Sequence, residues 1–393
     1  MKELDTDVLI IGAGLVGLVA AHCMSLLKYS VVVIDKKKLK DTKILQKDIR
    51  TVAVSEGSKQ FLDKLFLWNG IKQNAEPIKT IKVFDRSPSN KILFENFDKE
   101  NKLGYVIENL KFSKFLLQEL KKKKNVMILE GCELKKIEPN STHSKTYLKK
   151  QIIKSKLVIA ADGKNSAVRK LVGNKIFKKI YSESALVLNF FHEINLNNTA
   201  YEIFYNTGPL AVLPMKSSNK FYQSSIIWSN DDLFIKKLIS CDNEFIRNIL
   251  NERVGFITGK IIKINSLQKY PLSAHINDHF INKRLIYIGD SAHSIHPIAG
   301  QGWNLGVKDV KNLHLVSKEF LSKKQGIGND IFCKKYNSLS YKNAFQLYQI
   351  TDKLNFHFKN RQKLYRILSN TGLNILENSE NLKKEITKYA MGF

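Results

Sequence analysis

Cysteine is scarce in this chain: Cys23, Cys132, Cys241 and Cys333 are four among 393 residues, far apart and without a CxxC pair. Such spacing supports neither a zinc ribbon nor a disulfide framework, and it fits a reducing cytoplasm. No apolar run approaches the ~20 residues that a membrane-spanning helix needs. Nothing like a secretory leader opens the sequence, because Met1-Lys2-Glu3-Leu4-Asp5-Thr6-Asp7 passes straight into Val8-Leu9-Ile10-Ile11 with no small-residue cleavage site. Internal repeats and low-complexity linkers are also missing. A cytoplasmic protein is expected, with a peripheral place at the inner membrane left open. Acidic residues number 36 against 64 basic ones, giving a net charge of +28. The lysines are spread over almost every segment and accompany no nucleic-acid motif, so no nucleic-acid partner is expected. Attraction to anionic lipid head groups, about 1 kcal/mol per surface cation, is the better use of that charge.

What is present is an ordinary globular composition, 43% apolar and 25% charged, with length enough for two domains. Val8 to Ile11 and Val31 to Ile34 are continuous β-branched and aliphatic runs that suit strands buried on both faces of a parallel sheet. Leu15 to Leu27 between them has helical spacing, so residues 7–35 predict a βαβ unit. From Ile78 to Phe97, and again between Ala185 and Trp228, short alternating pieces separated by turn residues predict antiparallel strands. Residues 231–252 and most of the chain after Gly306 predict helix. The fold class expected is α/β (α+β overall): a Rossmann-like dinucleotide domain interleaved with an antiparallel-sheet domain, and a helical C-terminus. The first would comprise 1–77, 98–180 and 270–330, the second 78–97 and 181–269, and the helical region 331–393.

Gly12-Ala13-Gly14-Leu15-Val16-Gly17 is GxGxxG, placed directly after a strand and opening a helix. Gly12 permits the tight turn, Gly14 lets backbone approach a pyrophosphate, and Gly17 lets helix pack on strand. The helix N-terminus, with Val16 in its first turn, turns unpaired amides toward the phosphates. Asp35 closes the second strand, where an acid accepts from a ribose hydroxyl. This fingerprint does not separate NAD from FAD.

A second segment begins at a strand, Arg284 to Ile288, ends it in Gly289-Asp290, and continues through His296-Pro297-Ile298-Ala299-Gly300-Gln301-Gly302-Trp303-Asn304-Leu305-Gly306-Val307-Lys308-Asp309. Here the sequence resembles the ubiquinone-biosynthesis hydroxylase family of FAD-dependent aromatic monooxygenases, whose pattern of HP followed by GQGxNxGxxD is matched at every fixed position. Asp48 to Ser55 resembles that family's DxRxxALS segment, with Val54 in place of leucine. Gly104 to Asn109 is similar to its GYVVEN stretch, although Leu110 stands where arginine is more frequent. Ala161-Asp162-Gly163, Ala211-Val212-Leu213-Pro214, Thr351 to Asn355 and Ala390 to Phe393 extend the likeness nearly end to end.

The resemblance implies FAD as cofactor, NAD(P)H as co-substrate, and O2 and a prenylated phenol as the other reactants. It makes Asp290 the acid that meets the ribitol, and it brings Gly300, Gly302, Trp303 and Asn304 to the flavin, with Pro297, Gly300 and Gln301 at its reactive face. Arg50 would meet the pyrophosphate or the moving flavin, and Asp162 with Arg169 would brace the pyrophosphate and the approach of the nicotinamide, unless they only build a strand-to-helix turn. No acid/base side chain is implied. His293 and His296 have HxxH spacing, but no third ligand completes a metal set nearby, so no metal is expected. Alternatives are a hydroxylase of small soluble phenols and a non-catalytic flavin-binding assembly subunit. Leu364 to Leu376 could rest on a membrane, on another subunit or on the FAD domain; membrane, biosynthetic-complex and homo-oligomeric partners stay open.

Overall fold

The computed structural model describes residues 2–38, 48–85, 91–95, 102–217, 220–359 and 379–392. The stretch from Leu364 to Leu376 lies outside them. Lys2–Ile11 and Val31–Asp35 pair in parallel, and the sheet continues through Val126–Glu130 on one side and through Gln151–Ala160 and Leu285–Tyr287 on the other. Every residue from Val8 to Ile11 and from Leu157 to Ala160 is buried, as continuous aliphatic runs require when helices cover both faces. The helix Leu15–Leu26 packs on one side against the helices Asn109–Lys121 and Gln301–Ser322. This is the Rossmann-like half that the sequence predicts.

A second sheet is largely antiparallel and runs, in order, through His293–Ser294, Ile261–Asn277, Ile176–His192, Tyr222–Asp231, Gly208–Met215, Thr199–Tyr205, Thr80–Asp85 and Lys91–Glu95. One face packs Leu186, Leu188, Phe190, Ile226 and Trp228 under the helices Asp232–Leu238 and Asn243–Thr258. The helix expected over 231–252 is thus two, each started by an aspartate, Asp231 or Asp242, whose carboxylate caps the first-turn amides. The other face looks toward the cofactor half. Strands Ile176–His192 and Ile261–Asn277 run through positions 180 and 270, so the two halves share continuous strands there. A small sheet of Thr51–Ser55, Gly104–Glu108 and Ala75–Ile78 closes the gap, and Met391 near the C-terminus seals it by accepting from the Gly57 amide at 2.8 Å.

Candidate cofactor and active site

Three sequence-distant segments meet at the carboxyl ends of the parallel strands. Gly12 has φ +111°, and a Cβ there would lie 2.3 Å from the Ala161 carbonyl oxygen, so only glycine allows the first strand to turn against the Ala161-Asp162-Gly163 segment. A Cβ on Gly306 would lie 2.7 Å from Val16 Cγ2, which is also within 3.3 Å of the corresponding position on Gly289. Val16 is therefore the contact by which the glycine-loop helix packs on the second glycine segment. At Gly14 and Gly302, by contrast, a Cβ would meet no protein atom within 4 Å. These two glycines leave open space where a ligand's backbone approach would need it.

The acids around this junction divide into holders of backbone and faces of the cleft. Asp35 accepts from the Ala13 amide at 2.7 Å and from the Lys37 amide at 2.8 Å, which fixes the glycine loop; each oxygen keeps a lone pair for a hydroxyl. Asp162 accepts from the amides of Ala167 and Val168 at 2.6 and 3.1 Å and so starts the helix Ala167–Val172, while its Oδ1 is buried without a partner. Arg169 is buried and donates to Ser291 O at 3.1 Å, to Lys164 O at 2.7 Å and to His275 Nε2 at 3.0 Å. It thereby grips the Gly289–Ser291 turn rather than the cleft surface. Burial and the adjacent guanidinium push the His275 imidazole down to about 3, so it is neutral, accepts from Arg169, and bonds the Asp290 backbone.

Asp290 itself reaches solvent, yet protein crowds it closely, and this desolvation raises its carboxyl above the ordinary range despite His293, Arg50 and Lys164 nearby. Its access to water leaves the carboxylate able to meet a ligand hydroxyl. The adjoining loop carries Pro297, whose carbonyl lies 3.4 Å from the Gly300 amide, and Gly300, whose φ of +60° caps the helix Gln301–Ser322. No side chain caps that helix, so its first amides remain open to an anionic edge. Trp303 turns inward, its ring 5.6 Å from Phe112. Asn304 locks the loop to the small sheet: its Oδ1 accepts from the Ser55 amide and the Ser58 hydroxyl, both at 2.9 Å, and its Nδ2 donates to Ala53 O at 2.8 Å.

Arg50 stands at the other rim. It donates to Asp48 through Nε and Nη2, each at 2.8 Å, and lies 5.3 Å over the Tyr270 ring. Burial alone would raise Asp48, but this fork outweighs it and holds the carboxyl below its usual range, while the same bond raises Arg50. Asn189 donates to Ile49 O at 2.9 Å, so the second sheet meets this segment directly.

The two histidines go separate ways. His293 Nε2 is 2.7 Å from Asp309, whereas His296 packs edge-on to Tyr181, 5.2 Å between ring centres. The Thr351-Asp352 stretch of the C-terminal helix supports that contact, because Asp352 accepts from the Tyr181 hydroxyl at 2.9 Å. Among the described residues no cluster of metal-ligating side chains occurs. His275, Tyr270, Asn189 and Glu202 are site residues that motif reading passed over. They lie on strands of the second sheet, where alternation shows only that two faces exist, not which one meets the cofactor half.

Comparison with known proteins identifies the cofactor. Residues 5–330 match the family model described as an FAD binding domain. The chain belongs to this FAD-binding family. It is 28% identical over 391 residues to the "Ubiquinone hydroxylase UbiL" of Rhodospirillum rubrum, covering 98% of this chain and 89% of that one. Similarity to the "3-demethoxyubiquinol 3-hydroxylase" of Escherichia coli is 26% over 402 residues and covers 100% of both. Among solved structures, the p-nitrophenol 4-monooxygenase PnpA of Pseudomonas putida shares the fold with a TM-score of 0.81 at 18% identity, covering 100% of this chain and 99% of that one. The expected fold class, FAD and kinship with the ubiquinone-biosynthesis monooxygenases all stand.

The junction fits FAD on its own geometry. The clearances at Gly14 and Gly302, the buried Oδ1 of Asp162 that has no partner among the described residues, and the crowded but reachable Asp290 are each what a bound dinucleotide would use. Gly12, Gly14, Val16, Gly17 and Asp35 would hold its adenosine end; Asp290 and the amides of Gly302, Trp303 and Asn304 would hold its flavin end.

Proposed function

We propose that this FAD-dependent monooxygenase hydroxylates the aromatic ring of a polyprenylated phenol in ubiquinone biosynthesis, with NAD(P)H and O2 as co-substrates. One observation carries the reading: on the cofactor-facing side of the second sheet Val83, Glu202, Ala211, Ile227 and Val187 follow one another in cross-strand register, a wall row apolar but for Glu202, beside the Pro297–Gly300 loop. Such a wall accepts a ring with a hydrocarbon tail, and the two ubiquinone hydroxylases named above support the substrate class. Bound FAD supplies the electron transfer and oxygen activation; the chain's residues bind, orient and exclude water. The donor docks transiently, since the sequence carries no second GxGxxG.

Among the described residues no helix is long and apolar enough to cross a membrane. We infer peripheral contact with an anionic lipid surface, supported by the exposed Ile180, Ile350 and Phe356 beside Lys353 and by the net charge of +28. The decisive experiment is metabolite profiling of a deletion strain together with turnover by the purified holoenzyme. A prenylated phenol accumulating in the strain, and gaining one oxygen atom in detergent with the enzyme, is the expected result. Turnover of water-soluble phenols alone would replace this reading with that of a soluble-phenol hydroxylase. A flavin-loaded protein that shows neither phenol-dependent NAD(P)H oxidation nor an oxygenated product would point to the assembly subunit.

A further inference from the structure

Along the strand Thr199–Tyr205 side chains alternate between two environments. Tyr201, Ile203 and Tyr205 pack into the core beneath the covering helices. Ala200, Glu202 and Phe204 therefore face the cofactor half. Ala200 packs in the cluster with Met215 and Met391, and Phe204 packs on Ile298, in the loop just before Gly300. Glu202 stands between these two sealed contacts.

Its register neighbours are Ala211 on one side and Val83 on the other, and Ala211 leads across the sheet to Ile227 and Val187. The carboxyl thus projects from an apolar wall. Among the described residues no hydrogen bond or ion pair reaches it. Glu202 is partly accessible to water although protein surrounds it closely, so its carboxyl stays within reach of a ligand. Desolvation with no compensating partner pushes this carboxyl up to about 8, so at neutral pH it carries its proton and can both donate and accept. A carboxyl held against apolar side chains with only water to bond offers its hydrogen-bonding capacity to a ligand hydroxyl.

We propose that Glu202 is the residue that recognises the ring hydroxyl of the phenol, hydrogen-bonding it while the apolar wall takes the ring and its tail. The proposal rests on the substrate class given above. A site that hydrogen-bonds a hydroxyl rejects the analogue lacking it far more sharply than an apolar pocket does, because its own polar group is then left unpaired.

The test uses the flavin-loaded full chain as wild type, Glu202→Gln and Glu202→Leu, with two probes: a short-chain prenylated phenol and its O-methyl ether. Binding is read from the flavin absorbance change, and coupling from product formed per NAD(P)H oxidised. Wild type should prefer the phenol by roughly tenfold or more, Glu202→Gln should keep most of that preference, and Glu202→Leu should abolish it while flavin content stays that of wild type. An undiminished preference in flavin-loaded Glu202→Leu overturns the proposal, as does a wild type that binds both probes equally. A wild type that binds neither overturns the substrate class itself, a distinct failure. Should Glu202→Leu not fold, the pH profile decides: above about 8 the ionised carboxyl can only accept, which the phenol satisfies and the ether does not, so the wild-type preference should rise as pH passes through about 8 while that of Glu202→Gln stays flat, and equal profiles in the two proteins would sink the idea.

Discussion

Asp309 Oδ2 accepts the Gly289 amide at 2.8 Å and lies 2.7 Å from His293 Nε2, all three groups being buried. The last acid of the second motif therefore ties the helix Gln301–Ser322 to the very turn that presents Asp290. Its place in the motif reflects that bracing and not ligand contact. Asp309→Ala would leave the Gly289 amide and the imidazole buried without an acceptor, at a cost of about 3 kcal/mol. Asp309→Asn, which keeps one acceptor, should cost less. Urea unfolding of the flavin-free protein measures both, and equal stability of Asp309→Ala and wild type would refute the bracing role.

Gly12 and Gly14 sit two residues apart and should fail in different ways. Alanine at Gly12 meets the Ala161 carbonyl at 2.3 Å and a φ of +111°, so Gly12→Ala should unfold at lower denaturant even without cofactor. Alanine at Gly14 meets nothing in the protein, so Gly14→Ala should keep apo stability within about 0.5 kcal/mol and lose FAD affinity instead. Thermal melts with and without added FAD separate the two. A Gly14→Ala protein that retains flavin like wild type would show that the open space there is not where the pyrophosphate lies.

These contrasts mark how far the residues alone could be read. Val8–Ile11, Val31–Ile34 and the GxGxxG between them are local signals, and the structure places them as expected. Gly289 to Asp309 was legible as a cofactor segment through its resemblance to the ubiquinone-biosynthesis hydroxylases, with glycines and an acid after a buried strand in keeping with it. The division of the halves was not, since Ile176–His192 and Ile261–Asn277 are single strands of 17 residues that bend through register shifts, as between Ile180 and Ser184. No turn residue announces such a bend. The grip of Arg169 and His275 on Ser291 and Asp290 was equally hidden, because its partners lie more than 100 residues from Arg169.

Arg50 makes side-chain contacts at the rim with Asp48 and the Tyr270 ring, and its side chain is 51% accessible. An ion pair so exposed contributes little to folding, below about 1 kcal/mol. Arg50→Ala should therefore leave the apo melting temperature nearly unchanged while weakening flavin retention. Arg50→Lys should restore it only in part, since a lysine cannot reproduce the planar fork. Identical flavin dissociation constants across the three proteins would remove Arg50 from the site.

His275 gives a pH signature whose sign is fixed by its environment. The imidazole is pushed down to about 3 by burial and by Arg169, whereas in the unfolded chain it titrates near its ordinary value of 6.5. Between those limits the unfolded state binds the extra proton, so the stabilisation is fully present above pH 6.5 and is lost progressively as pH falls toward 3. Each such group contributes a slope of up to about 1.4 kcal/mol per pH unit in that window. His22 and His192, both pushed down to about 4 by burial, add in the same direction. His275→Gln keeps an acceptor for Arg169 but cannot titrate, so its unfolding free energy should fall less steeply than that of wild type between pH 6.5 and 4. Because His275 also bonds the Asp290 backbone, acid should release FAD from wild type before global unfolding, and less so from His275→Gln. Parallel stability curves for the two proteins across that range would mean that the Arg169–His275 contact does not set the protonation state, and that the turn carrying Asp290 is held without it by Asp309, Arg169, Ser291 and Asn277.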